Sequence, residues 1–266
     1  MSNDEEILLR HKRNFVLEGK KIFWLFLIVV MGIASYRAAE VSPVGFIVGI
    51  KNILIYTEGF FPPDFSRIWL FIRESFVSLS IAIWGSLIAF VLSIPLALLA
   101  SRNVAPNLAV YHLFRRILDI LRAVNELVFA LMFVAAVGLG PFAGVLALAV
   151  HTTGVVGKLI SEAVENVDEG QVEAITATGA GKLHIISFGI IPQIMPSIVS
   201  FNLYRFEANV RSATIVGFCG AGGIGYQLWE AMRSFEQGQV FTILLIMVVM
   251  VSSTDYFCAF ARKAAS

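Results

Sequence analysis

Long apolar windows separated by short polar clusters set the first expectation for this chain. A membrane helix needs about 20 mostly apolar residues at a rise of about 1.5 Å each. Residues 75–101 run without an acid or a base, enough for one tilted span, with Pro95 inside it to kink the inner end. Residues 127–157 form a longer uncharged window. As one helix it would reach about 46 Å, against a hydrocarbon core of about 30 Å. Its middle reads Gly138-Leu139-Gly140-Pro141, a strong break signal. The window therefore divides into a helical hairpin, one arm starting near Ile117 and the other ending near Glu162. Residues 183–204 are uncharged and hold Pro192 and Pro196, and residues 240–261 hold one charge, Asp255. Residues 22–36, between Lys21 and Arg37, suffice if the flanking bases snorkel. The acids Asp4, Glu5, Glu6 and Glu18 before them suit a retained tail better than the leading region of a cleaved signal peptide. The pattern predicts an all-α polytopic membrane protein with six spans.

Composition agrees with the pattern and narrows the chemistry. The hydrophobic set makes up 58% and charged residues 15%, whereas soluble domains average about 45–50% and about 25%. Too little polar side chain remains to clothe a soluble enzyme. A net charge of +1 gives no reason to expect a nucleic-acid partner. Cys219 and Cys258 make neither a disulfide framework nor a metal spacing, and His11, His112, His151 and His184 are scattered. No nucleophile set stands out either, so neither a catalytic residue nor a metal site is expected.

Basic residues orient the spans. With the amino terminus inside, Arg37, Lys51, Arg67, Arg73, Arg205, Arg211 and Arg233 fall outside, and the other thirteen of the 20 fall inside. Both termini are thus expected in the cytoplasm. Residues 37–74 become a long outer loop, 159–184 an inner loop, and 205–239 an outer, partly re-entrant segment. The expected organisation is a cytoplasmic tail at 1–21, a first helix with its outer loop at 22–74, and a core membrane domain at 75–261. A short tail at 262–266 completes it.

Two glycine-rich motifs fail their physical tests. Gly220-Ala221-Gly222-Gly223-Ile224-Gly225 matches a dinucleotide fingerprint by letter. It lacks a strand–helix–strand setting, and Leu245 stands where the ribose-binding acid belongs. Irregular backbone at membrane depth explains it better, packed inward as part of a gate at the outer mouth. Gly179-Ala180-Gly181-Lys182 resembles the end of a phosphate loop, but Thr176 and Leu183 replace the glycine and hydroxyl that such a loop needs. ATP is not expected to bind this chain.

The inner loop, Asp168 to Lys182, predicts a stubby helix that ends at Gly179. Val172, Ala174 and Ile175 would form a small apolar ridge, rimmed by Glu169 and Glu173. Such a helix suits a groove on a partner, though an ordinary interfacial linker is equally open from the residues alone. Here Glu173-Ala174, Gly179, Ile190 and Pro192 resemble the E-A-x-x-x-x-G…I-x-P signature of permease subunits of ABC importers. Ile175 replaces the usual second alanine.

Further blocks look like the phosphonate-type permeases of that family. They are Arg122 to Glu126, Val137 to Ala147, His151 to Gly154, Leu203 to Thr214, Gly220 to Gly225 and Phe61 to Asp64, together spanning residues 60–260. The resemblance implies the type I importer fold and a homodimer seated on two ABC ATPase subunits, which use ATP and Mg. It implies a periplasmic phosphonate-binding protein as the third partner, and no cofactor on this chain. Glu173, Ala174, Ile175 and Gly179 are implied as the coupling contact. The setting implied is a bacterial inner membrane. The cargo implied is a phosphonate, with phosphite or another small oxyanion as the alternative. An ion-driven secondary transporter is a more distant one, since no repeated halves are apparent.

Polar residues near the spans are read by spacing. Asp119, Arg122 and Glu126 fall three and four apart, which predicts a structural ion-pair seam on one helix face. His151, Thr152 and Thr153 are read as packing groups. Arg205, Glu207, Asn209, Arg211 and Ser212 are placed beyond the fifth span, near the outer mouth. Guanidinium suits a phosphorus oxyanion, so Arg205 and Arg211 are candidates to guide it. Pairing of either with Glu207 is equally open.

Overall fold

The computed structural model describes the backbone of residues 3–40 and 42–265, and side chains over 20–21, 23–40 and 42–263. It divides into two compact units, one ending at Glu58 and the other beginning at Gly59.

The first unit holds helices α1 (Asn3–Ala38) and α2 (Pro43–Glu58). The expected outer loop at 37–74 is thus largely helical. Pro43 suits a first helical turn, and no proline follows it until Pro62. Phe46, Ile47, Ile53 and Leu54 of α2 are exposed.

The second unit runs through α3 (Ile68–Leu99), α4 (Leu108–Ala123), α5 (Glu126–Val137), α6 (Pro141–Glu165) and α7 (Glu169–Ala177). It continues through α8 (Lys182–His184), a π-helical stretch (Ile185–Ile190), α9 (Ile191–Val216), a 3-10 turn (Gly217–Cys219), α10 (Gly223–Arg233) and α11 (Gln237–Ala265). Among the described residues, four helices are long and apolar enough to cross a membrane: Ile68–Leu99, Pro141–Glu165, Lys182–Cys219 and Gln237–Lys263. The number rises to 6 if each of two bent pairs counts as one span.

Helix α6 is the centre of this unit, with 67% of its most apolar window buried against 33% or less for the other three. Its sequence explains why. Ala143, Gly144, Ala147, Gly154 and Gly157 keep the surface of α6 low, so α3, α4 and α9 approach closely. Ile81 and Ala82 of α3, Ala147 and Leu148 of α6, and Val210 and Ala213 of α9 form one buried cluster.

Two predicted elements change. The arm expected from Ile117 to Val137 is broken into α4 and α5, which meet at 90°. Neither glycine nor proline marks the break. Val124 is extended, and the Asn125 side chain accepts the Leu127 N–H at 2.9 Å, capping α5. The fifth helix also does not end at Tyr204. It runs to Val216, because Glu207 and Arg211 find partners within the bundle. The predicted outer segment 205–239 is therefore the end of α9 plus α10.

At the start of α11, the Asp64 N–H donates to the Gly238 carbonyl at 3.2 Å, and the Thr242 hydroxyl donates to the Asp64 carbonyl at 2.9 Å. The Ser66 N–H donates to the Asp64 carboxylate at 2.8 Å and holds its carboxyl below the usual range. Phe61-Pro62-Pro63-Asp64 is thus a strap on α11.

Candidate functional site

Breaking α4 from α5 leaves backbone groups that lipid cannot satisfy. His151 of α6 answers one of them: its Nδ1 lies 2.8 Å from the Val124 carbonyl oxygen, so that nitrogen is the donor. Its Nε2 lies 3.5 Å from Glu126 Oε2. One turn along, Gly154 has no room for a side chain. A Cβ there would sit 2.6 Å from the Arg122 backbone nitrogen and 2.6 Å from Leu121 Cβ. The blocks Arg122–Glu126 and His151–Gly154, 27 residues apart, build one corner.

Glu126 does not join Asp119 and Arg122 on one face, which corrects the predicted seam. The helix turns between them, and Glu126 accepts the Ser212 hydroxyl of α9 at 2.7 Å instead. Asp119 pairs with Arg122 at 3.2 Å and with Lys158 of α6 at 3.2 Å. Arg115 binds both Glu165 oxygens at 2.9 Å, tying α4 to the end of α6.

Asn209 is fully buried. Its Oδ1 accepts from Thr152 at 2.9 Å and its Nδ2 donates to Ser86 at 2.8 Å. That one amide therefore links α3, α6 and α9. Thr153 bonds within its own helix, to the Ala149 carbonyl at 2.7 Å.

About two turns of α9 carry the remaining predicted residues. Arg211 pairs with Glu207, and Glu207 also accepts from Arg262 at 3.3 Å, while Arg211 lies 3.5 Å from Asp255. Asp255 and Arg262 belong to the later half of α11, opposite Gln237. Glu207 and Arg211 therefore lie on a helix packed against α11, not on a separate segment that follows the fifth span. Arg205 is different. It is half-buried, its Nη2 reaches Asn209 Oδ1 only at 3.4 Å, and its Nε has no hydrogen-bond partner. An unsatisfied buried donor costs about 1 to 3 kcal/mol, more if charged.

Helix α7 is capped by Asp168, whose carboxylate accepts the Gly170 N–H at 2.9 Å. Gln193 of α9 accepts the Asp168 N–H at 2.9 Å and donates to the Gly189 carbonyl at 2.6 Å, fixing α7 against the π-helical stretch. Val172 and Ile175 face that stretch and are half-buried, whereas Gly170, Glu173, Ala174 and Ala177 are exposed. The predicted ridge is corrected accordingly. Ile175 packs on its own chain, and the free face consists of small residues beside Glu173. Gly179 follows with φ +76 and open space around it.

The glycine run turns the chain from α9 into α10. Gly220, Gly222 and Gly223 all have positive φ, at 91°, 74° and 74°, where L residues are strained. Between them Ala221 and Ile224 are fully buried, and the Ile224 N–H donates to Ser78 Oγ at 3.0 Å. The irregular backbone is thus packed inside protein. Among the described residues, no group of three or more His, Cys, Asp or Glu could hold a metal ion.

Comparison with known proteins adds an independent line. The family model described as binding-protein-dependent transport system inner membrane component matches residues 93–263. The putative phosphite transport system permease protein HtxC of Stutzerimonas stutzeri is 36% identical over 255 residues, covering 95% of this chain and 90% of that protein. The phosphite transport system permease protein PtxC of the same organism is 36% identical over 267 residues, covering 98% and 97%. Among solved structures, the MetNI methionine ABC transporter in an inward-facing form matches with a TM-score of 0.68 at 20% identity. That match covers 76% of this chain and 99% of the other, a likeness of fold.

Proposed function

The chain belongs to the binding-protein-dependent transport system inner membrane components, and we propose that within that family it carries phosphonates or related phosphorus oxyanions, phosphite among them, across a bacterial cytoplasmic membrane. It is a transport subunit of an ABC importer, not an enzyme, and ATP hydrolysis belongs to a separate subunit. Support for the cargo comes from the two Stutzerimonas relatives, both named for phosphite and matched over nearly their full length.

The observation that carries the reading is α7. A nine-residue helix, capped at Asp168 and clamped by Gln193, presents Gly170, Glu173, Ala174 and Ala177 outward. A face of small residues permits close approach by a partner helix or groove, and Glu173 adds a charge for register. We assign this face to the ATPase subunit, with Gly179 allowing the chain to turn away behind it. One chain supplies one such helix, so two copies on two ATPase subunits complete the transporter. A periplasmic binding protein delivers the anion at the opposite end. ATP and Mg act in the ATPase alone, and this chain binds no cofactor.

Both termini are placed in the cytoplasm. With Arg211 held against Glu207 and Asp255 within the bundle, fewer basic residues remain outside and the charge asymmetry grows. The Gly220–Gly225 turn, at the other end, is assigned to the outer gate. Asp119, Arg122, Glu207 and Arg211 brace the path rather than contact cargo.

Co-purification tests the assignment. The chain alone should hydrolyse no ATP, and it should hold the ATPase encoded beside it in a complex that anion-loaded binding protein stimulates. ATP hydrolysis by the chain alone, or failure to hold any ATPase, overturns the reading.

A further inference from the structure

Among the described residues, four cations of the bundle each have a carboxylate within ion-pair distance. Arg115 has Glu165, Lys158 has Asp119, Arg211 has Glu207 and Arg262 has Glu207. Arg205 stands apart. Its nearest acidic neighbour, Glu126, directs one oxygen to Ser212 at 2.7 Å and the other toward His151 at 3.5 Å. What remains to the guanidinium is one long contact, 3.4 Å to an amide oxygen that Thr152 already occupies at 2.9 Å. Its Nε is buried and bonds nothing. Arginine normally uses its fork on two oxygens at once, and here the fork is held ready without them.

A groove lies on the neighbouring face of α9. Between α3 and α9 a groove of about 400 Å³ is lined by Ser86, Phe90, Val199, Asn202, Leu203 and Phe206. Asn202 stands three residues before Arg205, so the two are neighbours on the helix surface. Ser86 on the facing wall accepts from Asn209, the same amide that Arg205 touches. Hydrogen bonds thus link Ser86 on the groove wall through Asn209 to the guanidinium. A low local dielectric strengthens any charge pair formed there.

We propose that Arg205 is an anion contact within the membrane bundle, receiving the tetrahedral oxygens of a phosphorus oxyanion after it leaves the binding protein. The proposal rests on the transport function above. Arg211, the other sequence candidate, is excluded because Glu207 and Asp255 already meet its charge. Weak binding is what this arrangement supplies. A single fork gives orientation and charge balance, and the cargo can still leave.

The test uses the detergent-solubilised complex of this chain with its ATPase, without binding protein, titrated with methylphosphonate and with phosphite and followed by phosphorus NMR. The account predicts saturable binding that weakens at least tenfold in Arg205→Gln. Arg205→Lys, which keeps the charge and loses the fork, should weaken it severalfold. Arg122→Gln, a cation already paired with Asp119, should leave binding unchanged. Equal binding in Arg205→Gln, or an equal loss in Arg122→Gln, overturns the site. If Arg205→Gln does not assemble, Arg205→Lys decides, and unchanged affinity there overturns it. Uptake of both anions by the unaltered, fully reconstituted transporter is measured in parallel. Its absence defeats the transport reading, whereas normal uptake with unchanged variant binding defeats only the Arg205 site.

Discussion

His151 donates its Nδ1 hydrogen to the Val124 carbonyl across 2.8 Å, and so an α6 side chain completes the backbone of a corner between two other helices. The corner cannot be closed by its own peptide groups, because Val124 is extended where α4 stops. It also needs α6 to come close, which Gly154 permits by carrying no side chain.

Replacing His151 by Leu should therefore leave the Val124 carbonyl without a partner. The expected loss is about 1 to 3 kcal/mol of stability. Gly154→Val should cost about as much through overpacking against Leu121 and Arg122. Thermal unfolding of the detergent-purified chain checks both, and an unchanged midpoint for both would contradict the corner.

Asn209 predicts a non-additive result. Asn209→Leu strips Thr152 and Ser86 of their partner and should cost about 1 to 3 kcal/mol. Adding Thr152→Val and Ser86→Ala to that variant should recover part of the loss, because an apolar set with no orphaned hydroxyl replaces a half-satisfied network. Three strictly additive losses would mean that the amide does not link the helices.

This arrangement marks where the sequence could and could not be read. Membrane class, the hairpin break at Gly138–Pro141 and the short helix after Asp168 follow from hydropathy and from turn and capping chemistry, all of which are local. The α4–α5 corner was hidden because an asparagine cap, not glycine or proline, makes it. The length of α9 was hidden for a related reason. Charged residues at 205–211 read as solvent-exposed by composition, and only partners within α9 together with Asp255 and Arg262 of α11 make them acceptable in a helix. The inward turn of Val172 and Ile175 likewise depended on the π-helical stretch that follows, which hydrophobic spacing does not reveal.

Opposite faces of α7 should separate two phenotypes. Ala174→Arg or Glu173→Arg, on the exposed face, should abolish ATPase co-purification and leave the unfolding midpoint of the chain unchanged. Val172→Ala or Ile175→Ala should lower that midpoint instead, since both side chains pack against residues 185–190. The same effect from both faces in both assays would contradict the assignment.

The glycine turn should rank its substitutions by geometry. A Cβ at Gly225 would lie 1.7 Å from the Thr214 carbonyl oxygen, whereas one at Gly222 meets only Pro141 at 3.7 Å. Gly225→Ala should thus disturb the α9–α10 junction more than Gly222→Ala, whose cost is the left-handed backbone alone, about 1 to 2 kcal/mol. Gly222→Leu should impair uptake as well, if this turn is the gate. Unfolding midpoints and uptake rates measured side by side check the order.

Uptake into proteoliposomes tests the central claim most directly. Two copies of the chain are reconstituted with the ATPase subunit, with phosphite or methylphosphonate presented by the binding protein on one side and ATP with Mg on the other. The account predicts accumulation of the anion that requires ATP and binding protein together and that persists after sodium and proton gradients are collapsed. Accumulation driven by an ion gradient without ATP, or ATP-driven transport that ignores both phosphorus anions, would contradict it.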